Sequence, residues 1–296
     1  MYLIGGSVAE RLLRNRGRTR TFVAKKNFRI LRQRLMSFLN GQWKPSAVSR
    51  ITDYSISLTS WSARIDYLQL TLVLLIDQDV RPDGIYVWLT RADLEQIPIE
   101  TRDSFEAHGV IFCDCLDYRS HKKWLPMILS GHQKPFVICD DDIFYPRDWF
   151  GRLTDEDRGD TYLGCKCHMI AHDNSGNILP YSMWQKQIYR SKVHQGNLFA
   201  TGCGGVVIHP SRLPDTALDF EKISQLCLYN DDLWLNAAHL SVGIPVSKTR
   251  YNFPCLELPG TAASGLLLNH NSIDNYNQIA ATWDFFGLKG IDCNSR

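Results

Sequence analysis

The chain has 296 residues, a length that suits one large domain or two small ones. Its hydrophobic fraction of 44% and charged fraction of 22% are those of an ordinary globular protein, and its net charge is only +2. The longest apolar run, Leu70–Ile76, is far below the ~20 residues that span a bilayer. Arginines from Arg11 onward exclude an apolar signal core, and an odd cysteine number, nine, predicts reduced thiols in the cytoplasm.

The small net charge conceals a strongly basic start. Residues 1–50 hold twelve Lys/Arg and one acidic residue, Glu10. Apolar residues recur there at helical spacing, namely Phe28, Leu31, Leu35, Phe38 and Leu39. We predict a basic, partly amphipathic helix, broken near Gly17, as an extension to a domain at 51–296. It suits either an anionic membrane surface or a solvated arm that packs its apolar stripe on the domain. No motif favours nucleic acid as a partner.

The next part of the chain alternates strand and helix patterns. In order, we predict a strand at 54–59, a helix at 63–78, a strand at 85–89, a helix at 99–108, a strand at 110–113, a helix at 122–130 and a strand at 136–139. Short connections in a β-α-β-α-β-α-β order are typical of a parallel, doubly wound α/β sheet with right-handed crossovers.

The second half is less regular. Residues 173–177 predict a hairpin-like turn, and the glycine-rich segment 201–205 precedes a predicted strand at 206–208. A helix is predicted to begin at Asn230 or Asp231, either of which suits the N-cap, and to end near Leu240.

Three carboxylates, Asp140, Asp141 and Asp142, follow the fourth predicted strand. Side chains alternate along a strand, so Asp140 and Asp142 are expected to point the same way. Clustered carboxylates are unfavourable unless a cation neutralises them, and oxygen ligands suit Mg²⁺ or Mn²⁺. Ligands of open α/β sheets bind at this end of the strands, so we predict a metal–phosphate site. The alternative is a solvated acidic turn.

The motifs together resemble bacterial sugar transferases of surface-polysaccharide gene clusters, which have the GT-A fold, and the triplet resembles that of exostosin-type transferases. The blocks that carry the resemblance span roughly residues 54–280: Ser57–Ser60, Ala63–Ile65, Gln78, Pro82-Asp83, Trp88-Leu89, Lys122-Lys123, Leu125-Pro126, Asp140–Ile143, Tyr145-Pro146, Trp149, Cys167-His168, Ala171-His172, Pro180–Ser182, Trp184, Gly202–Gly205 and Asp231–Trp234. Met169 and Ile208-His209 depart from the family pattern, which puts the acceptor in doubt.

The resemblance implies transfer of a sugar from a nucleotide sugar, with UDP as the commonest nucleotide, to a glycan or lipid-linked acceptor at the cytoplasmic membrane face. It implies Mn²⁺ or Mg²⁺ bound by Asp142, with Asp140 at the ribose or the water shell of the metal. Asp141 would meet the donor sugar or a basic group, and His270 could complete the metal site. The remaining implied nucleotide-binding residues are Thr59, Ser60, Arg64, Lys122 and Lys123.

The acceptor hydroxyl must lose a proton, and Asp232 is the preferred general base, with Asp231 as the other candidate. Capping of the helix alone would also explain both residues. The implied acceptor-binding residues are Gly204, Gly205, Tyr181, Trp184 and Trp234, although aromatic residues also commonly belong to the core.

Two rival functions remain open. A metal-dependent phosphohydrolase would need several His and Asp ligands for two ions, and only one tight carboxylate cluster is visible. A non-catalytic binding module would have no need of Asp140, Asp142 and Asp232 together.

Overall fold

The computed structural model describes residues 18–189, 193–194, 197–261 and 275–288. Its centre is an eight-stranded sheet in the order β5-β4-β2-β6-β12-β7-β13-β10. Smaller sheets pair β1 with β3 and join β11, β8 and β9. The strands are β1 (Arg50–Ile51), β2 (Ser55–Thr59), β3 (Val80–Arg81), β4 (Ile85–Leu89), β5 (Val110–Asp114), β6 (Phe136–Ile138), β7 (Tyr162–Gly164), β8 (Cys167–Met169), β9 (Gln185–Ile188), β10 (Val193–His194), β11 (Leu198–Ala200), β12 (Val206–Ile208) and β13 (Val246–Lys248).

Helices flank the central sheet. They are α1 (Arg18–Leu39), α2 (Ile65–Ile76), α3 (Arg91–Leu94), α4 (Ile99–Glu106), α5 (Leu125–Leu129), α6 (Trp149–Glu156), α7 (Phe220–Leu226), α8 (Asp231–Ser241) and α9 (Asn275–Phe285). None of these described helices combines the length and apolarity that a membrane span requires.

The sheet is mostly parallel. The strands β5, β4, β2 and β6 are parallel neighbours, as the alternating pattern predicted. The strand β12 runs antiparallel between β6 and β7, and β13 pairs parallel with β7. The result is an α/β architecture compatible with a Rossmann-like fold, which confirms the predicted fold class at that level.

Alternating side chains of the sheet supply two separate hydrophobic layers. Ile56 and Leu58 of β2 and Val137 of β6 belong to one layer, with α1 and α2. Phe136 and Ile138 of β6 belong to the other, with α8 and α9. The two-residue period of a strand makes this division necessary, because neighbouring side chains point to opposite faces.

Two predicted elements end differently in the structure. The predicted helix at 122–130 is a 3₁₀ turn, Arg119–Lys123, followed by the short α5, because Trp124 has a non-helical backbone and Pro126 suits only the first turn of a helix. The strand β6 ends at Ile138, so the acidic triplet follows in a turn instead of continuing the strand.

The helix α1 packs its apolar stripe on the domain. Leu31 and Phe38 are buried, and Phe28, Leu35 and Leu39 are partly buried against the same core layer. Arg34 anchors the helix through a 3.0 Å ion pair with Asp77, which follows α2. The stripe is therefore covered by protein. The predicted break near Gly17 lies outside the described residues.

Candidate functional site

Neighbouring parallel strands end side by side, and their following loops form one polar cluster. The loop after β2 carries Ser60 and Arg64, and the turn after β6 carries residues 140–142. Because β12 runs antiparallel beside β6, the glycine-rich segment that precedes it lies at the same edge. Parallel topology thus collects residues that are far apart in the sequence.

The acidic triplet divides between two cations. Arg64 Nη1 lies 2.9 Å from Asp141 Oδ1 and 3.2 Å from Asp142 Oδ2. Asp140 instead lies 2.9 Å from Lys123 Nζ. Asp140 and Asp142, which were expected to point the same way, therefore pair with different cations, and they follow the end of β6 at Ile138, where strand alternation no longer applies.

Lys123 is the centre of the second group. Its buried ammonium lies 2.9 Å from Asp140 Oδ1 and 2.9 Å from Asp231 Oδ2, which joins the β6 turn to the start of α8. Burial opposes its charge, but Asp140, Asp231 and Asp232 outweigh that effect and raise the pKa of Lys123 well above its usual value. Lys123 is therefore a fixed positive charge.

The other predicted nucleotide-binding residues form hydrogen bonds to residues at or just after the carboxyl ends of β2, β4 and β6. Lys122 is also buried and donates to the Ser60 carbonyl at 3.0 Å, so neither lysine is solvated. The Ser60 hydroxyl donates to Asp141, and the Thr59 hydroxyl donates to the Trp88 carbonyl at 2.7 Å. These contacts fix the backbone around the carboxylates.

The start of α8 brings the candidate base to the cluster. Asn230 caps the helix, because its Oδ1 accepts the Leu233 amide at 3.1 Å. Asp231 therefore does not cap and instead pairs with Lys123. Asp232 Oδ1 accepts the Gly202 amide at 2.8 Å. A Cβ at Gly202 would lie 2.8 Å from Lys123 Nζ, so a larger residue would displace the ammonium from its place between Asp140 and Asp231.

The carboxylates differ in basicity. Burial raises the pKa of Asp142 to about 8, Asp141 adds to the rise, and Arg64 opposes it. Burial and then Asp231 raise the pKa of Asp232 well above its usual value. Burial also acts on Asp140, but Lys123 outweighs it and lowers the pKa of that carboxyl. Asp142 and Asp232 therefore hold protons more tightly than Asp140.

The charge balance suits a hard cation. Five carboxylates, at positions 140–142, 231 and 232, interact with one another, and the cations among them are Arg64, Lys123 and Lys166. With Asp142 and Asp232 protonated, three ionised carboxylates face these three cations, and a divalent cation would take the place of the two protons. Mg²⁺ and Mn²⁺ favour carboxylate oxygens, and the residues that would hold such an ion are Asp140 and Asp142. Only one Asp140 oxygen pairs with Lys123, which leaves the other for the ion. The proposed ligand His270 lies outside the described residues.

The predicted acceptor residues lie in different environments. Gly204 packs against Lys166, and Gly205, at φ +88°, packs against the Trp149 ring. Trp184 is buried, whereas Tyr181 is partly exposed. Trp234 is fully buried and donates to the Ala217 carbonyl at 2.9 Å, so it belongs to the core and is not accessible to a sugar.

Sequence reasoning missed Lys166, Cys255 and Asn236 in this region. Lys166 Nζ lies 3.1 Å from Cys203 Sγ. A hydrogen bond with the Cys255 thiol, and then the charge of Lys166, lower the pKa of Cys203 to about 6 against the effect of burial. Nothing in the local sequence indicates this contact. Asn236 Nδ2 donates to the Asp232 carbonyl at 2.7 Å and could have been found, because it lies one helical turn beyond Asp232.

A scan of the chain against protein-family models and a search against curated proteins both return no match. The resemblance to sugar transferases therefore stays a prediction, and the chemistry of the site has to be inferred from its own residues.

Replacing Lys123 with Met should destabilise the fold by about 3–5 kcal/mol, because Asp140 and Asp231 would lose their shared buried cation. Urea unfolding at neutral pH measures the loss. Adding Asp231→Asn should recover part of it. The exposed Lys134→Met is the control and should keep the wild-type midpoint. A Lys123→Met protein as stable as wild type would contradict the assigned role of this ion cluster.

Replacing Asp142 with Asn should raise the melting temperature of the metal-free protein at pH 8–9. The raised pKa, about 8, means that the folded state retains the Asp142 proton up to that pH, so its contribution to stability falls as pH rises from the unfolded value toward 8. Asparagine removes that loss. At pH 5 the folded Asp142 is neutral but the unfolded one is already mostly ionised, so thermal denaturation in EDTA should show a smaller gain than at pH 8–9. A gain of equal size at both pH values would contradict the assignment.

Proposed function

We propose that the protein is a metal-dependent glycosyltransferase of GT-A organisation that transfers a sugar from a nucleotide sugar, with UDP as the first nucleotide to test, to a glycan or lipid-linked acceptor. One observation carries the proposal. A cluster of three carboxylates, Asp140–Asp142, meets a second carboxylate pair, Asp231 and Asp232, at the carboxyl edge of a mostly parallel sheet.

The donor side comprises the acidic triplet and its basic partners. When bound, a divalent cation stabilises the charge that develops on a departing diphosphate. Asp142 and Asp140 are the proposed ligands. Arg64 is engaged by Asp141 and Asp142 and also donates to the Thr261 carbonyl at 3.2 Å, so its proposed role is to hold these carboxylates in place.

The acceptor side centres on Asp232. Burial and Asp231 make its carboxyl unusually basic, and the Gly202 amide fixes one of its oxygens. In an inverting reaction, Asp232 takes the proton of the acceptor hydroxyl as that oxygen bonds to the anomeric carbon. The bond between the anomeric carbon and the diphosphate breaks, and its electron pair leaves with the diphosphate. In a retaining reaction, Asp232 would position the acceptor.

The two described histidines nearest the cluster, His121 and His168, have other partners, which disfavours a two-metal phosphohydrolase. His121 is buried, one ring nitrogen lies 2.9 Å from the Cys227 carbonyl, and the other accepts the Trp124 indole at 3.2 Å. His168 Nδ1 accepts the Gln187 amide at 2.9 Å. Burial lowers the pKa of His121 to about 4 and that of His168 to about 3, so both are neutral.

Calorimetric titration of UDP, GDP and CDP, with and without Mn²⁺, tests the donor site. We expect one nucleotide to bind only with Mn²⁺, and Asp142→Asn to weaken that binding at least about tenfold, the order of effect of losing a metal-supporting group. Asp173→Asn, which changes an exposed carboxylate of the hairpin turn, is the matched control and should bind as wild type. Absence of nucleotide binding in every condition would overturn the proposal.

Asp232→Asn separates binding from chemistry. Because the base acts on the acceptor, the variant should keep the nucleotide affinity of wild type but lose about 10²- to 10⁴-fold in turnover, measured as nucleotide released from the cognate nucleotide sugar with acceptor present. Asn236→Ala is the comparison, since it removes a contact to the Asp232 backbone and two to the Ala200 backbone but leaves the Asp232 carboxylate in place, and it should retain more turnover. Full turnover by Asp232→Asn would exclude it as the base.

A further inference from the structure

The helix α1 has a second face that the domain leaves exposed. Phe22 is 69% exposed and Met36 is 59% exposed, while the opposite face is buried against the domain. Residues seven apart share one face of a helix, so Phe22, Arg29 and Met36 form a single row. Large apolar side chains in such a row are exposed along about four helical turns.

Basic residues surround this row. Lys25, Lys26, Arg29 and Arg32 are all exposed, and within the described residues none of them forms an ion pair with an acidic side chain. No acidic residue occurs in α1 at all. The preceding sequence adds further positive charge at Arg11, Arg14 and Arg16. We call Phe22, Lys25, Lys26, Arg29, Arg32 and Met36 the outer face of α1.

The first half of α1 lies at the site end of the domain. The Phe28 ring stacks on the Tyr67 ring, with 6.3 Å between the two centroids. Tyr67 lies in the first turn of α2, and this helix begins directly after Arg64. Arg34, farther along α1, pairs instead with Asp77 beyond the last turn of α2. The two helices therefore run in the same direction, and Phe22 lies toward the end that carries the carboxylates.

We propose that the outer face of α1 docks on an anionic lipid bilayer. Cationic side chains are attracted to acidic headgroups, and long lysine and arginine side chains can reach them while apolar neighbours enter the acyl boundary. Charge complementarity alone would also suit a nucleic acid. The exposed Phe22 and Met36 favour lipid, because a phosphate backbone offers these two side chains no apolar surface to enter.

This docking refines the membrane hypothesis drawn from the sequence. The apolar stripe that suggested it is covered by the domain, and the opposite face of the same helix takes that role. The proposal is independent of the glycosyltransferase proposal, since it involves neither the carboxylates nor a nucleotide.

Sedimentation of the full chain with vesicles tests the proposal. We expect binding to equimolar phosphatidylcholine and phosphatidylglycerol vesicles, weak binding to pure phosphatidylcholine, and release in about 1 M salt, where the screening length is about 3 Å. The triple variant Lys25→Glu, Lys26→Glu, Arg29→Glu should lower the partition coefficient about tenfold or more. Phe22→Ser with Met36→Ser should also weaken binding, because it removes the inserting side chains.

Matched variants distinguish a specific effect of the outer face on vesicle binding from the effect of net charge or exposed apolar surface elsewhere. Arg81→Glu, Arg158→Glu and Arg212→Glu make the same change in net charge at exposed positions elsewhere, and Ile99→Ser with Leu116→Ser removes two other exposed apolar side chains. Both controls should sediment as wild type, with unchanged circular dichroism for all variants. Equal losses in the matched controls, no vesicle binding by wild type, or binding of single-stranded RNA in place of vesicles would each overturn the proposal.

Discussion

The buried ammonium of Lys123 is the interaction on which the site depends. It brings together a carboxylate from the β6 turn and one from α8, residues that are separated by about a third of the chain. Such a cation holds repelling groups close enough to act together. Lys123 also makes the pKa values of these carboxyls differ. It lowers the pKa of Asp140, whereas at Asp232 burial and the negative charge of Asp231 outweigh it and raise the pKa.

The resulting division suits a two-part reaction site. Arg64 and Lys123 each hold carboxylates in place, and on the proposed donor side a divalent cation would take the place of the proton that Asp142 holds. Asp232 lies across the glycine-rich segment, where Gly202 both fixes it and leaves room for Lys123. The same edge of the sheet thus brings the proposed metal-binding carboxylates and the proposed base into one cluster, as the proposed transfer requires.

Local patterns predicted the parallel half of the sheet because each strand there is a short apolar run bounded by turns. They also placed Asp140–Asp142 and Asp231–Asp232 at element ends. The pairing of these groups could not be predicted, since it depends on the chain direction after β6 ends at Ile138 and on Lys123, which lies in a 3₁₀ turn where the sequence predicted an α-helix. Burial of Trp234 likewise follows from the contact of α8 with α9, for which the sequence of α8 alone contains no signal.

The antiparallel strand β12 has a consequence for how the chain is made. It fills the sheet between β6 and β7, yet it follows β6 by roughly 70 residues. At ~5–20 residues per second, a ribosome needs about 4–14 s to supply it. During that interval Phe136, Val137 and Ile138 form an unpaired apolar edge on a nascent chain, which is the kind of edge that invites intermolecular pairing. Chaperone dependence during synthesis should therefore be concentrated in this window.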